Sequence, residues 1–183
     1  MQRFITLAFS SLLLLSLNAA TPETHYTVIV SLDGFRWDYP DMYKTPNLDR
    51  MAADGVKAVM LPSYPASTFP NHYTLATGLV PDHHGIINNT FWDVKNRRQY
   101  SMGDSATRNN PEYYLGEPIW ITAQKQGVKT GNMYWVGSDI AIKKSHPTYY
   151  RPWNAKPFLT FEQRIDTVLT WLQKPEPERP RLI

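Results

Sequence analysis

The sequence contains no cysteine. That excludes disulfide cross-links, a lipid anchor attached through cysteine, and any metal site built on thiolates. A metal would have to be held by Asp, His, Glu or Thr side chains. Charge of one sign is also scarce. Nineteen Lys and Arg against sixteen Asp and Glu leave a formal charge of +3, and the one basic cluster, Asn96-Arg97-Arg98, is small. Electrostatic capture of nucleic acid has little to work with, and no nucleic-acid-binding module is expected. No apolar run is long enough to cross a bilayer. The longest, residues 4–17, falls short of the roughly 20 residues that a spanning helix needs, so no stable membrane span is expected.

What is there points to a folded, exported protein. With 42% hydrophobic and 19% charged residues over 183 positions, the chain can bury one sizeable core. Its N-terminus has the three parts of a secretory signal: Arg3, the apolar run of residues 4–17, and the small residues Asn18-Ala19-Ala20. Residues 1–20 are therefore read as a signal peptide and residues 21–183 as the folded part. Export implies a periplasmic or secreted location.

Residues 25–32 form a β-branched, near-continuous apolar run, the mark of a buried parallel strand, ending at Asp33-Gly34. Thr45-Pro46 opens a helix with an apolar stripe of Leu48, Met51 and Ala52, closed by Gly55. Residues 56–61 read as a second strand, 62–70 as a proline-rich loop, and 70–77 as a helix ended by Gly78. A short helix follows at 119–126, then a strand at 128–135. Another helix spans 162–173, where Ile165, Val168, Leu169 and Leu172 recur at helical spacing. Arg181-Leu182-Ile183 reads as a strand just beginning, as in a chain cut within a sheet. Strands alternating with helices predict an α/β fold with a mostly parallel sheet.

Three residues carry candidate chemistry. Asp33 lies at the carboxyl end of the first strand, where open α/β sheets collect ligands; Asp-Gly is equally a turn pair. Thr68 stands at a helix N-terminus, where free N–H groups favour an anionic phosphate and a metal-activated hydroxyl can attack phosphorus; the other reading is a helix cap. The Asn89 amide can donate to a phosphoryl oxygen as charge builds there, or can serve a turn. Asp82-His83-His84 has metal-ligand residue types, but adjacent side chains seldom converge on one ion, and structural roles are assigned to it and to His72. Gly137-Ser138-Asp139 lacks the second glycine of a serine-hydrolase elbow.

Taken in order, the segments Val30-Ser31-Leu32-Asp33-Gly34-Phe35-Arg36, Thr45-Pro46-Asn47-Leu48, Tyr64-Pro65-Ala66-Ser67-Thr68-Phe69-Pro70-Asn71-His72-Tyr73, Thr77-Gly78-Leu79-Val80-Pro81 and His84-Gly85-Ile86-Ile87 resemble the nucleotide pyrophosphatase/phosphodiesterase family of the alkaline phosphatase superfamily. Met133-Tyr134-Trp135-Val136-Gly137-Ser138 and Phe161-Glu162-Gln163-Arg164-Ile165 continue the likeness.

The resemblance implies an alkaline-phosphatase-like domain, incomplete at the C-terminus, that hydrolyses phosphodiester or phosphoanhydride bonds of nucleotide-type small molecules. It implies two zinc ions, with Asp33 and Thr68 among their ligands and the remaining ligands beyond Ile183. By the same carry-over Thr68 is the nucleophile, Asn89 holds the phosphoryl oxygen, and Phe69 and Trp153 contact the base, with tryptophan at 153 where tyrosine is frequent. Two rivals stand beside this reading: a phosphomonoesterase or other member of the superfamily, and an inactive truncated fragment. The 183 residues alone are expected to bind little zinc and to show no turnover.

Overall fold

The computed structural model describes residues 25–183, so the signal peptide proposed for residues 1–20 lies outside the described residues. The helices are α1 (Tyr39–Met42), α2 (Pro46–Asp54), α3 (Thr68–Thr77), α4 (Pro81–His84), α5 (Ser105–Arg108), α6 (Ile119–Lys125) and α7 (Phe161–Leu172). The strands are β1 (Thr90–Asp93), β2 (Arg98–Ser101), β3 (Gly131–Met133) and β4 (Tyr149–Arg151).

A parallel sheet runs through short pairings. Thr27 N–H donates to Arg181 O at 2.8 Å, Ile183 N–H to Thr27 O at 2.9 Å and Ile29 N–H to Ile183 O at 2.8 Å. On its other side the 181–183 segment receives Gly131 N–H at Leu182 O (2.8 Å) and gives Arg181 N–H to Lys129 O (2.9 Å). Strand β3 then pairs in parallel with β4, Gly131 opposite Tyr149. The spatial order is thus 27–29, 181–183, β3, β4, all parallel, as a β-α-β chain path requires.

Helix α7 covers β3. It opens with a capping box, in which Thr160 Oγ1 accepts from Gln163 N–H and Gln163 returns a bond to the Thr160 backbone. Trp171 lies so close to β3 that a Cβ at Gly131 would stand 2.8 Å from its ring, which is why glycine occupies that position.

Three expectations are corrected. Residues 25–32 pair on one side only and are not buried, with Val30 76% exposed. Residues 56–61 form no strand: no ladder partner reaches them among the described residues, and Val56 and Leu61 stand in solvent. The stripe on α2 meets no core, since none of its residues is buried. In each case the apolar pattern is present but the second layer it needs is not among the described residues. The α7 stripe is also only half covered, Ile165 and Leu169 remaining exposed.

The core lies instead beside α3. Phe69, Tyr73 and Ala76 of α3 pack with Ile86, Tyr100, Tyr113, Tyr114, Trp120, Ile121, Val136, Ile140 and Ile142. Much of the joint is aromatic: Tyr73 meets Tyr114 edge-on at 5.3 Å, and Phe91 of β1 stacks on Tyr100 of β2 at 4.6 Å. The antiparallel β1–β2 hairpin, absent from the sequence reading, buries its aromatic face against this core.

Candidate active site

Helix α3 starts at Thr68, two residues earlier than the sequence pattern places it, with Ser67 as the extended N-cap residue. Neither hydroxyl caps the helix. The Ser67 side chain makes no cap bond, and Thr68 Oγ1 donates to Asp33 Oδ2 at 3.2 Å. Asp33 is held in a turn closed by Phe35 N–H to Leu32 O at 3.2 Å, with Gly34 at φ +70° supplying the left-handed corner. The turn reading and the site reading of Asp33 are therefore both realised: the turn aims the carboxylate at Thr68.

Asn89 closes the third side. Its Oδ1 accepts the Phe69 N–H at 2.9 Å, and its carbonyl accepts Met102 N–H at 2.9 Å just beyond β2. Since Oδ1 is taken, the amide is fixed with Nδ2 turned away from Phe69 N, a donor one residue from the Thr68 hydroxyl. The start of α3 offers fewer amides to an anion than a generic helix end. Pro70 has none, that of Phe69 belongs to Asn89, and that of Asn71 goes to Ser67 O at 3.2 Å. Thr68 N–H is left without a protein partner among the described residues.

The loop that delivers Thr68 is pinned by a residue that sequence reasoning passed over. Asn71 Oδ1 accepts from Ser63 N–H at 2.7 Å, while Nδ2 donates to Pro65 O at 2.9 Å and Ser67 O at 3.0 Å. One side chain thus ties the proline-rich loop to the first turn of α3. Nothing local announces this, because one partner lies eight residues away.

Phe69 and Trp153 are brought together, but not as a slot. Phe69 is 1% exposed and meets the half-buried Trp153 edge to face, with centroids 5.1 Å apart. A base stacked between two parallel rings is not what this geometry offers. It offers the half-buried Trp153, packed at right angles against the buried Phe69.

Asp33 and Thr68 present two oxygens 3.2 Å apart, a separation that one cation can touch on both sides, and oxygen donors suit a divalent ion. Two ligands are fewer than the three that a catalytic zinc takes from protein. Among the described residues no group of three or more His, Cys, Asp or Glu side chains gathers around one point.

His84 is not part of this cluster. It is fully buried. Its Nδ1 accepts Ile86 N–H at 3.2 Å, so Nε2 carries the proton and faces Pro70 O at 3.2 Å and Thr74 Oγ1 at 3.0 Å. Burial holds its pKa below the ordinary 6.5. The unfolded chain therefore takes up a proton that the folded chain refuses. Stability contributed by neutral His84 should be complete above about pH 6.5 and should fall as pH drops through that value toward the depressed folded pKa. Urea midpoints at pH 7.5 and 5.5 check this. His84→Gln should lower the midpoint at both pH values and flatten the difference between them; an equal pH difference in the variant would assign it elsewhere.

Comparison with known proteins agrees with this architecture. The sequence profile of the type I phosphodiesterase / nucleotide pyrophosphatase family matches residues 27–183. The chain is 43% identical over 156 residues to bovine ectonucleotide pyrophosphatase/phosphodiesterase family member 3, covering 84% of this chain and 18% of that protein. It is 44% identical over 161 residues to the human family member 1, covering 86% and 17%. Venom phosphodiesterase 2 of Crotalus adamanteus is 40% identical, covering 84% and 19%. The solved structure of murine ectonucleotide pyrophosphatase/phosphodiesterase 5, an inactive threonine-to-alanine variant in complex with AMP, superposes with a TM-score of 0.77 at 33% identity, over 86% of this chain and 41% of that one. The chain thus spans less than a fifth of the length of these curated relatives. The fold is the α/β architecture of these phosphodiesterases, and the chain belongs to the type I phosphodiesterase / nucleotide pyrophosphatase family.

Proposed function

We propose that these residues form the nucleophile half of an exported hydrolase that cleaves phosphodiester or phosphoanhydride bonds in small nucleotide-type substrates, with Thr68 Oγ1 attacking phosphorus. The observation that carries this is the convergence at one helix start of the Thr68 hydroxyl on Asp33 at 3.2 Å and of the Asn89 amide on Phe69 N–H at 2.9 Å. The AMP bound by the murine relative, and the inactivity of its threonine variant, support both the substrate class and the residue type of the nucleophile.

In this reading the helix start fixes the hydroxyl and Asp33 orients it. Two zinc ions, held by Asp33, Thr68 and further ligands outside this chain, would supply the positive charge that lowers the hydroxyl pKa and balances charge on phosphorus. Thr68 Oγ1 gives up its proton to solvent and forms a bond to phosphorus as the bond to the leaving oxygen breaks, the leaving oxygen taking up a proton from solvent, which gives a threonine phosphate ester. Water then cleaves that ester and restores the hydroxyl. Asn89 Nδ2 donates to the phosphoryl oxygen, where charge accumulates. Trp153, packed against Phe69, receives the base; one such stacking contact is worth roughly 1–3 kcal/mol.

Export is part of the proposal. It rests on the leader-like residues 1–20 and on the ecto- and venom enzymes among the relatives. No helix among the described residues is long and apolar enough to cross a membrane.

The rival within the superfamily is a phosphomonoesterase. With the complete metal-ligand set present, kcat/KM for bis(p-nitrophenyl) phosphate should exceed that for p-nitrophenyl phosphate by at least about 100-fold, the scale on which a pocket separates substrates that differ by a buried group. The reverse preference would make the protein a monoesterase.

A further inference from the structure

Asp33 and Thr68 do not meet alone. Two residues before Asp33, Ser31 Oγ lies 2.9 Å from His72 Nε2, and His72 Nδ1 lies 2.8 Å from Thr68 O. A carbonyl can only accept, so Nδ1 donates to Thr68 O and Nε2 is left to pair with the Ser31 hydroxyl. The ring is braced from behind. Trp135 lies edge-on to it at 5.6 Å, and the Trp135 indole N–H donates to His72 O at 3.1 Å.

The spacing makes this more than a local contact. Ser31 and Asp33 lie two residues apart where the segment that pairs at Thr27 runs into the Asp33 turn. Residues four apart on a helix share a face and are separated by about 6 Å along the axis. Two rungs, Ser31–His72 at 2.9 Å and Asp33–Thr68 at 3.2 Å, join the segment that pairs at Thr27 to helix α3. A lone rung would act as a hinge, whereas two fix both distance and direction.

We infer that Ser31 and His72 are positioning residues that set the approach of Asp33 to the Thr68 hydroxyl. The inference rests on the proposed reading of Thr68 and Asp33 and adds to it the pair that holds them in register. Groups that orient metal ligands are typically worth 10–100-fold in metal affinity or activity. Ser31 is exposed, so Ser31→Ala tests the link without emptying a core position.

In the metal-loaded enzyme, Ser31→Ala should lower kcat about 10-fold with KM nearly unchanged, and zinc affinity in competition with a chelator should fall by a similar factor. Ser31→Thr, which keeps the hydroxyl, should recover most of both. Ser31→Ala added to His72→Ala should cost nothing beyond His72→Ala alone, because the two act as one unit. Unaltered kcat and zinc affinity in Ser31→Ala, a rise in KM alone, or full additivity of the two substitutions would each overturn the inference. If Thr68→Ala retained activity, the proposed function would fail instead. The zinc-affinity comparison would still decide the positioning role, a loss in Ser31→Ala supporting it and no change overturning it.

Discussion

Thr68→Ala is expected to abolish hydrolysis of bis(p-nitrophenyl) phosphate, a loss on the order of 10⁴-fold or more, as for other enzymes stripped of their nucleophile. The variant should fold normally. Thr68 lies half-buried on the first turn of α3, and among the described residues its hydroxyl bonds only Asp33, an exposed partner. Alanine is also the better helix former. Thr68→Ser keeps a hydroxyl on the same Cβ and should retain measurable turnover. Circular dichroism and urea midpoints separate chemistry from folding here, and near-normal activity in Thr68→Ala would mean that water attacks phosphorus directly.

Asn89→Ala should lower kcat by roughly 10²–10³, the usual cost of one lost donor to developing negative charge. Two effects must be separated, because Asn89 is also structural. Alanine removes the acceptor of the Phe69 N–H along with the amide donor, leaving a helix-start N–H without its partner at a cost of about 1–3 kcal/mol. Asn89→Asp resolves them. An aspartate oxygen can still accept from Phe69, while the Nδ2 donor is lost and a negative charge is added near phosphorus. Asn89→Asp should therefore be close to normal in urea midpoint and at least as poor as Asn89→Ala in kcat. Recovery of kcat in Asn89→Asp would show that the catalytic loss comes only from the disturbed helix start.

The sequence made some features of the site easy to see and hid others, for physical reasons. Helices with a local start signal or a clear apolar period were legible: Pro46 after Thr45 opens α2 where expected, and the helix read over 162–173 starts at Phe161, one residue earlier, behind a capping box that the pattern left unread. Gly78, left-handed at φ +68°, ends α3 where expected. The strands were less legible. Residues 25–32 and 56–61 have the composition of buried strands, but burial is a property of partners. The described residues pair the first on one side and the second not at all. The β1–β2 hairpin was missed because Asn96, Arg97 and Arg98 read as a charged loop. Its turn depends instead on Asp93 accepting from the Asn96 backbone and side chain, and on Arg97 entering the left-handed region at φ +48°.

The positions of Asp33, Thr68 and Asn89 along the chain suggested a shared site, and the fold brings them together. What the spacing could not show is how they are held. Asn71 reaches back across the proline-rich loop, His72 links α3 to Ser31, and Phe69 turns into the core and packs edge to face with Trp153. Each of these depends on a contact between segments that are far apart in sequence or lie on opposite sides of a loop.

The central claim is that Thr68 becomes covalently bonded to phosphorus. Acid quenching of the metal-loaded enzyme during turnover of a p-nitrophenyl nucleotide ester, followed by proteolysis and mass spectrometry, tests it most directly. The account predicts a nucleotidyl ester on the peptide that spans Ser67 to Tyr73, assigned to Thr68 by fragmentation and absent from Thr68→Ala. An active enzyme with no esterified peptide under conditions where chemistry outruns hydrolysis, or an ester on another residue, would contradict it.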